Sequence, residues 1–446
     1  MKITDFHVSR RIYNHVLRPK IEGGFRRRRS LALTLMAPVL LLADPPPSAP
    51  LGPGGEPQTQ VQSPSGISAP ENAPDEWKFV ALLSALFTYD NNIFIQPTHR
   101  KSDFYAHLDP TLAVGLGNFR ETLASFAPIP HFLVRTGEED LPWKDFLYAS
   151  YTPDGVLFSK YHKEDVVNND VKIAGQKERD LWNLSGDLQF QTESDPVIDV
   201  GRRIKQTYYT GDAAAAYDIS GKLTGGVKLS GNRSEYSGGF NSDDGEAGGF
   251  LDYQIAPKTA VGGSATFGYL DATHGANQTY EQPQLEIKYL PTEKLSFSGQ
   301  AGAEFRQFSS HIGDRTQFVF DLSGGFTPAD GTTITISGRR DTTASAEYTG
   351  ENIVENIYQA EVKQRFLQRV YVSASGGLVH DHYENNQTTA TVARHDDYYF
   401  YKLSASRDVT RNATVALSYE HRRNDSSLSP FTFSEDLATF AVSVLF

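Results

Sequence analysis

The sequence predicts an all-β chain, a transmembrane antiparallel up-and-down β-barrel of about 18 strands, within a range of 16–20. Three observations carry this expectation. Apolar and polar residues alternate with a period of two from Trp77 onward. The connections between these segments fall into a short class and a long class. The last segment ends on the aromatic Phe446, on the apolar face of its own alternation.

Alternation is clearest in Lys294–Phe308. Leu295, Phe297, Gly299, Ala301, Ala303 and Phe305 occupy one parity, and Ser296, Ser298, Gln300, Glu304 and Arg306 the other. Successive side chains of a strand point to opposite faces, so such a segment asks for two different solvents on its two sides. Leu285, Ile287 and Tyr289 repeat the pattern, as do Ile334 and Ile336, Val415, Leu417 and Tyr419, and Val261, Ala265, Phe267 and Tyr269. Helical spacing competes only in Ile353–Leu367.

A soluble sandwich would alternate equally well, so the connections decide. Tyr151–Gly155, Tyr217–Lys222, Gln254–Lys258, Tyr289–Lys294, Phe326–Gly331 and Ser406–Arg411 read as tight turns. Between them lie polar stretches such as Glu235–Glu246, Asp271–Glu281, Arg340–Glu351, His380–Asp396 and Arg423–Pro430. Short turns on one rim and long hydrophilic loops on the other are the arrangement of outer-membrane barrels. Counting back from the end with this parity gives one strand too many for an even-numbered barrel. The segment Phe119–Trp143, with three prolines, reads equally as strand or loop. In the last segment Phe440, Val442, Val444 and Phe446 share the lipid-facing parity, and they are the candidate assembly signal at the periplasmic rim.

The first 76 residues read differently. Residues 1–43 hold nine Lys and Arg, and Arg26–Arg29 precede the apolar run Ser30–Leu42, the pattern of a secretory signal peptide. Residues 44–76 hold nine of the 23 prolines and almost no bulky apolar residue, as expected of a disordered periplasmic linker. The barrel is then expected over 77–446. Without its first 43 residues the chain carries a net charge of −19, which disfavours nucleic acid as a partner. There is no cysteine, so disulfides and thiolate metal sites are excluded.

By parity, Lys228, Glu286, Lys288, Glu304, Arg306, Asp321, Arg339, Lys402, Glu420 and Arg422 face the barrel interior. They are the candidate lumen lining, either a charged pore wall or an ion-pair network that braces the barrel. Arg306 and Asp321 lie on strands joined by a short connection and are expected to pair. The loop string His380–Asp381–His382, with Asp396 and Asp397, offers acid/base and metal-ligand types without ligand spacing on a rigid element. Asp90–Asn91–Asn92 and Asn241–Asp244 match no calcium loop and read as turn formers. No catalytic, cofactor or metal site is expected.

The strings YDNNIF (Tyr89–Phe94), YTPDGVLF (Tyr151–Phe158), YLPTEKL (Tyr289–Leu295), GAEFRQF (Gly302–Phe308) and FTPADGTT (Phe326–Thr333) resemble the outer-membrane β-barrel porins of Gram-negative bacteria. Some members of that family are linked to exopolysaccharide secretion. The resemblance implies an outer-membrane location, with lipid and the barrel-assembly machinery as partners and no enzymatic activity. It is consistent with a passive channel for hydrophilic solutes. The alternative is an accessory or structural barrel of an exopolysaccharide-export system, with periplasmic export proteins as partners.

Overall fold

The computed structural model describes residues 77–117, 145–292, 294–309, 313–366, 369–385, 394–410 and 412–446. The expected signal segment, the linker and Phe119–Trp143 lie outside the described residues. Eighteen strands run in chain order: β1 Lys78–Asp90, β2 Asp103–Gly117, β3 Phe146–Phe158, β4 Val166–Arg179, β5 Trp182–Val197, β6 Arg202–Ser220, β7 Leu223–Tyr236, β8 Ser242–Ala256 and β9 Thr259–Ala272. They continue as β10 Gln278–Thr292, β11 Leu295–Phe308, β12 Arg315–Phe326, β13 Thr332–Ala344, β14 Glu351–Phe366, β15 Val370–Asn385, β16 His395–Asp408, β17 Ala413–Ser426 and β18 Phe433–Leu445. Each strand pairs antiparallel with its neighbours in sequence, and β1 pairs with both β2 and β18, so the sheet closes on itself. Closure satisfies the backbone groups that an open edge would leave exposed to lipid.

The outer face is apolar. Leu285 is 76% exposed and Leu417, Leu188 and Leu112 are similarly open, as expected of side chains that meet acyl chains rather than water. Aromatic rings gather near both ends of this band. Trp182 and Tyr217 touch at 4.8 Å on the rim that carries the short turns, and Tyr89 and Phe104 touch at 4.8 Å toward the other. On β11 the two levels are marked by Phe297 and Phe305, about 26 Å apart along the strand, close to the height of a membrane-embedded apolar band.

Seven connections on the short-turn rim span two to five residues, and the eighth, β2–β3, is much longer. On the opposite rim they span four to twelve. The polar stretches expected as long loops are largely strand. Asp243–Glu246 belong to β8 and His380–Glu384 to β15, because the strands continue past the lipid band as a polar wall.

One expectation is corrected and one ambiguity is resolved. Tyr151–Gly155 is not a turn; it lies inside β3, which removes the surplus strand and leaves the even number 18. Pro153 there faces a gap in the β2–β3 ladder, where its missing N–H costs no hydrogen bond. The segment with helix-like spacing is strand as far as the described residues go, within β14 up to Phe366, with Ile353, Val354 and Ile357 all buried. Both faces of this part of β14 are covered, so period two does not show.

Placing an arginine at the centre of the outer face, Leu285→Arg, should destabilise the barrel in lipid by about 2–4 kcal/mol. Urea titration in vesicles, read by tryptophan fluorescence, measures this; an unchanged midpoint would contradict the assignment of this face to lipid.

Candidate functional site in the barrel interior

All ten candidate lining residues lie on the inward parity of their strands. Lys228, Glu286, Lys288, Glu304, Arg306, Glu420 and Arg422 are buried, and Asp321, Arg339 and Lys402 are half-buried. The structure brings five of them into two groups. Glu304 and Arg306 pair at 2.7 Å (Oε1 to Nε), while Arg306 also donates to Gln278 at 2.8 Å and stacks 4.5 Å from the Tyr280 ring centre. Arg422 bonds Glu420 at 2.6 Å and Glu435 at 3.2 Å, and Lys402 lies 3.9 Å from Glu420. The expected Arg306–Asp321 pair does not form. In the β11–β12 register Arg306 faces Arg315 and Asp321 faces Gln300, six rungs or about 20 Å away. Asp321 stands opposite Arg339 on β13 instead.

The other sequence candidates resolve locally. His380 and His382 point outward and Asp381 inward, so strand alternation splits this string across the wall. His380 Nδ1 bonds Asp397 at 2.5 Å on the outer surface. Asp90 accepts the Asn92 N–H at 2.6 Å, and Asn241 accepts the Tyr236 N–H at 2.8 Å, both as turn formers.

The dominant feature of the interior is a hairpin that leaves the wall. The β12–β13 ladder covers only Phe320–Phe326 with Ile334–Arg340. Beyond Arg340, β13 remains paired with β14 as far as Ala344 but no longer with β12. The β13–β14 hairpin crosses inward and docks on the opposite wall. Ala344 packs on Leu270 and Tyr280, Ala346 on Val197, Val200 and Tyr236, and Phe240 N–H donates to the Ala346 carbonyl at 2.8 Å. Gln278 on β10 and Asn352 on β14 exchange two side-chain hydrogen bonds, at 3.0 and 2.8 Å. Glu384 of β15 reaches Arg315 and Gln317 of β12 across the split.

Asp199, in the β5–β6 turn, fastens the tip. It accepts from Ser345 Oγ at 3.0 Å and lies 3.8 Å from Arg394. The turn passes close beneath Phe431: Gly201 has φ +70°, and a Cβ there would lie 2.9 Å from the ring. Arg394 is fully buried. It donates to the carbonyls of Asp199 and Ile198 at 2.7 and 3.1 Å, pairs with Asp396 at 2.5 Å, and sits over Phe431 at 3.5 Å and Tyr383 at 4.3 Å. The β5–β6, β13–β14 and β17–β18 connections thus meet around Arg394, which immediately precedes β16, inside the mouth. Asp199, Ser345, Arg394 and Asn352 were not singled out in the sequence. The available signal was the loss of alternation at Val197–Val200 and Glu351–Glu355, where consecutive residues are all buried.

Residues 316–446, from β12 to the end, match the family model described as "Putative beta-barrel porin 2". No curated protein matches. Among solved structures, OccK2 (OpdF) of Pseudomonas aeruginosa in complex with glucuronate is similar at 11% identity and a TM-score of 0.45, over 83% of this chain and 98% of that one. OccAB4 of Acinetobacter baumannii follows at 12% identity and 0.43, over 83% and 98%. OpdQ of P. aeruginosa stands at 10% and 0.42, over 83% and 97%.

Replacing Arg394 by Met should leave Asp199 and Asp396 buried without their cation, at a cost of about 3–5 kcal/mol to hairpin docking. Hydrogen exchange of the 345–350 amides should quicken by orders of magnitude; unchanged protection would refute the fastening role. Half-buried Glu347 is held above the usual carboxylate value of 4.5 by burial and then by the Asp199 carboxylate. A carboxyl raised in the docked state stabilises docking below its undocked pKa, and that contribution is lost as pH rises through the docked value. Protection of the hairpin should therefore fall with rising pH above about 4.5, and Glu347→Gln should flatten this component. The sequence match to the porin family runs through the last seven strands of a barrel that the whole described chain closes.

Proposed function

We propose that this chain is an outer-membrane channel for hydrophilic solutes whose mouth is gated by the β13–β14 hairpin. The observation that carries the reading is the pairing of an apolar outer face with a polar inner wall on a closed barrel. The lower half of that wall, along β12–β16, is only half-buried. Asp321, Arg339, Glu361, Lys363, Lys402 and Ser404 there meet water inside the barrel. Mixed charges on such a wall orient a polar solute without a chemical step.

The rim with the short turns also carries the start of β1 and the end of β18, which supports reading it as the periplasmic rim, and the N-terminal tail is proposed to lie on that side. Phe440, Val442, Val444 and Phe446 lie on the outer face, with Phe446 73% exposed. They form the surface proposed for reading by the barrel-assembly machinery.

The occluded mouth also favours the second reading, an accessory barrel of an exopolysaccharide-export system that works through periplasmic partners. Planar-bilayer recording separates the two. The intact protein should show small or rare openings, and replacing residues 343–352 by a short Gly-Ser link should raise conductance severalfold. A barrel still silent without its hairpin, and co-purifying with periplasmic export proteins, would replace the channel reading by the accessory one.

A further inference from the structure

Strands β2 and β3 pair from Tyr105 opposite Phe158 to Leu108 opposite Gly155, and again from Leu112 opposite Tyr151 to Gly117 opposite Phe146. Carried through the intervening gap, the same register sets Asp109 opposite Asp154, Pro110 opposite Pro153 and Thr111 opposite Thr152. Two facing prolines remove the ladder donors. The Thr111 and Thr152 hydroxyls, 3.0 Å apart, bridge the strands in their place.

Asp109 and Asp154 therefore face each other on the inner wall, with His107 two residues away on the same face. His107 is 1% exposed, Asp109 6%, and the Asp154 side chain 14%. His107 Nδ1 lies 2.8 Å from Asp154 Oδ1, and Asn168 Nδ2 donates to Asp154 Oδ2 at 3.2 Å. One ligand atom from each of His107, Asp109 and Asp154 lies within 4.8 Å of the other two. Neighbouring Asp170 is engaged by Gln189 and Gln191.

The Asp109 and Asp154 side chains meet in a hydrogen bond; two ionised carboxylates so placed would repel, the more so for being buried, unless a proton or a cation lies between them. A cation between them converts that cost into attraction. The surroundings make the same demand: among the described residues nineteen buried Asp and Glu accompany six buried Lys and Arg. One imidazole with two carboxylates is a mixed nitrogen and oxygen set. It suits a divalent transition ion of the zinc or cobalt class, whereas calcium takes six to eight oxygens. We propose that His107, Asp109 and Asp154 bind one such ion on the inner wall, with Asn168 orienting Asp154 from outside the ligand set. The ion takes the place of the direct His107–Asp154 contact, and the proton it displaces passes to solvent. It adds positive charge to an acid-rich interior.

The test uses the untagged full-length barrel in detergent, stripped with a chelator and titrated with Co²⁺, then with Zn²⁺ in competition. One equivalent of Co²⁺ should bind, with visible d–d absorption that Zn²⁺ abolishes. Asp109→Asn and His107→Gln should each weaken binding by about tenfold or more, while His382→Gln, on the outer face, leaves it unchanged. Folding of each variant is read from its strand circular dichroism and its heat-modifiable gel mobility. Should His107→Gln fail to fold, the isosteric Asp109→Asn carries the comparison. Absence of saturable binding to the intact protein, or full affinity in Asp109→Asn, overturns the proposal. Neither readout depends on whether the pore conducts.

Discussion

Closure of the sheet through the β1–β18 ladder is the constraint on which everything else rests. Within lipid no water satisfies a peptide N–H or C=O, so each strand needs a partner on both sides. Leu82–Asp90 meets Leu437–Leu445 rung by rung, and residues 347 to 363 apart in sequence become neighbours. Ser84 and Ser443 share a hydrogen bond of 2.8 Å across this seam. Once the ladder is closed, alternation divides the side chains between two solvents, and an apolar exterior with a polar interior follows.

The interior then faces an electrostatic problem that the exterior does not. Carboxylates crowd a space in which charges are poorly solvated, and the chain answers with short, multiply bonded groups. Arg422 lies between Glu420 and Glu435, Arg306 is held by Glu304 and Gln278, and Arg394 gathers Asp199 and Asp396. Each arginine serves several acceptors through its planar fork, which a lysine ammonium would serve less well. The sites that brace the wall are thus also those that set its charge, so a lumen lining and an ion-pair network are one set of residues here.

The hairpin is where the barrel departs from uniformity. Beyond Arg340 its first strand stops pairing with β12, while β14 stays paired with β15, so its free edge depends on docking through Ala344, Ala346, Asn352 and the Asp199 turn. Such an element has fewer ties than the wall and is drawn from the low end of local stability. The gate proposed for the mouth is one docked hairpin, whose release would leave the barrel ladders intact.

Strand parity was legible because each residue's side is settled by its immediate neighbours. Leu285 and Phe305 outward, Glu286 and Arg306 inward, all follow from a period of two. The same local rule misread Tyr151–Gly155, since a Pro and a Gly look alike in a turn and in a strand whose partner also presents a proline. The pairing of Arg306 with Glu304 rather than Asp321 needed the register, and the inward path of Glu351–Glu355 needed the opposite wall. By itself the sequence determined the strands, their two faces and the sense of the barrel, because these depend on alternation and turn chemistry. The tertiary structure alone decided which charges meet, where the mouth closes and that Asp109 faces Asp154, because those contacts join residues whose proximity exists only once the sheet has closed.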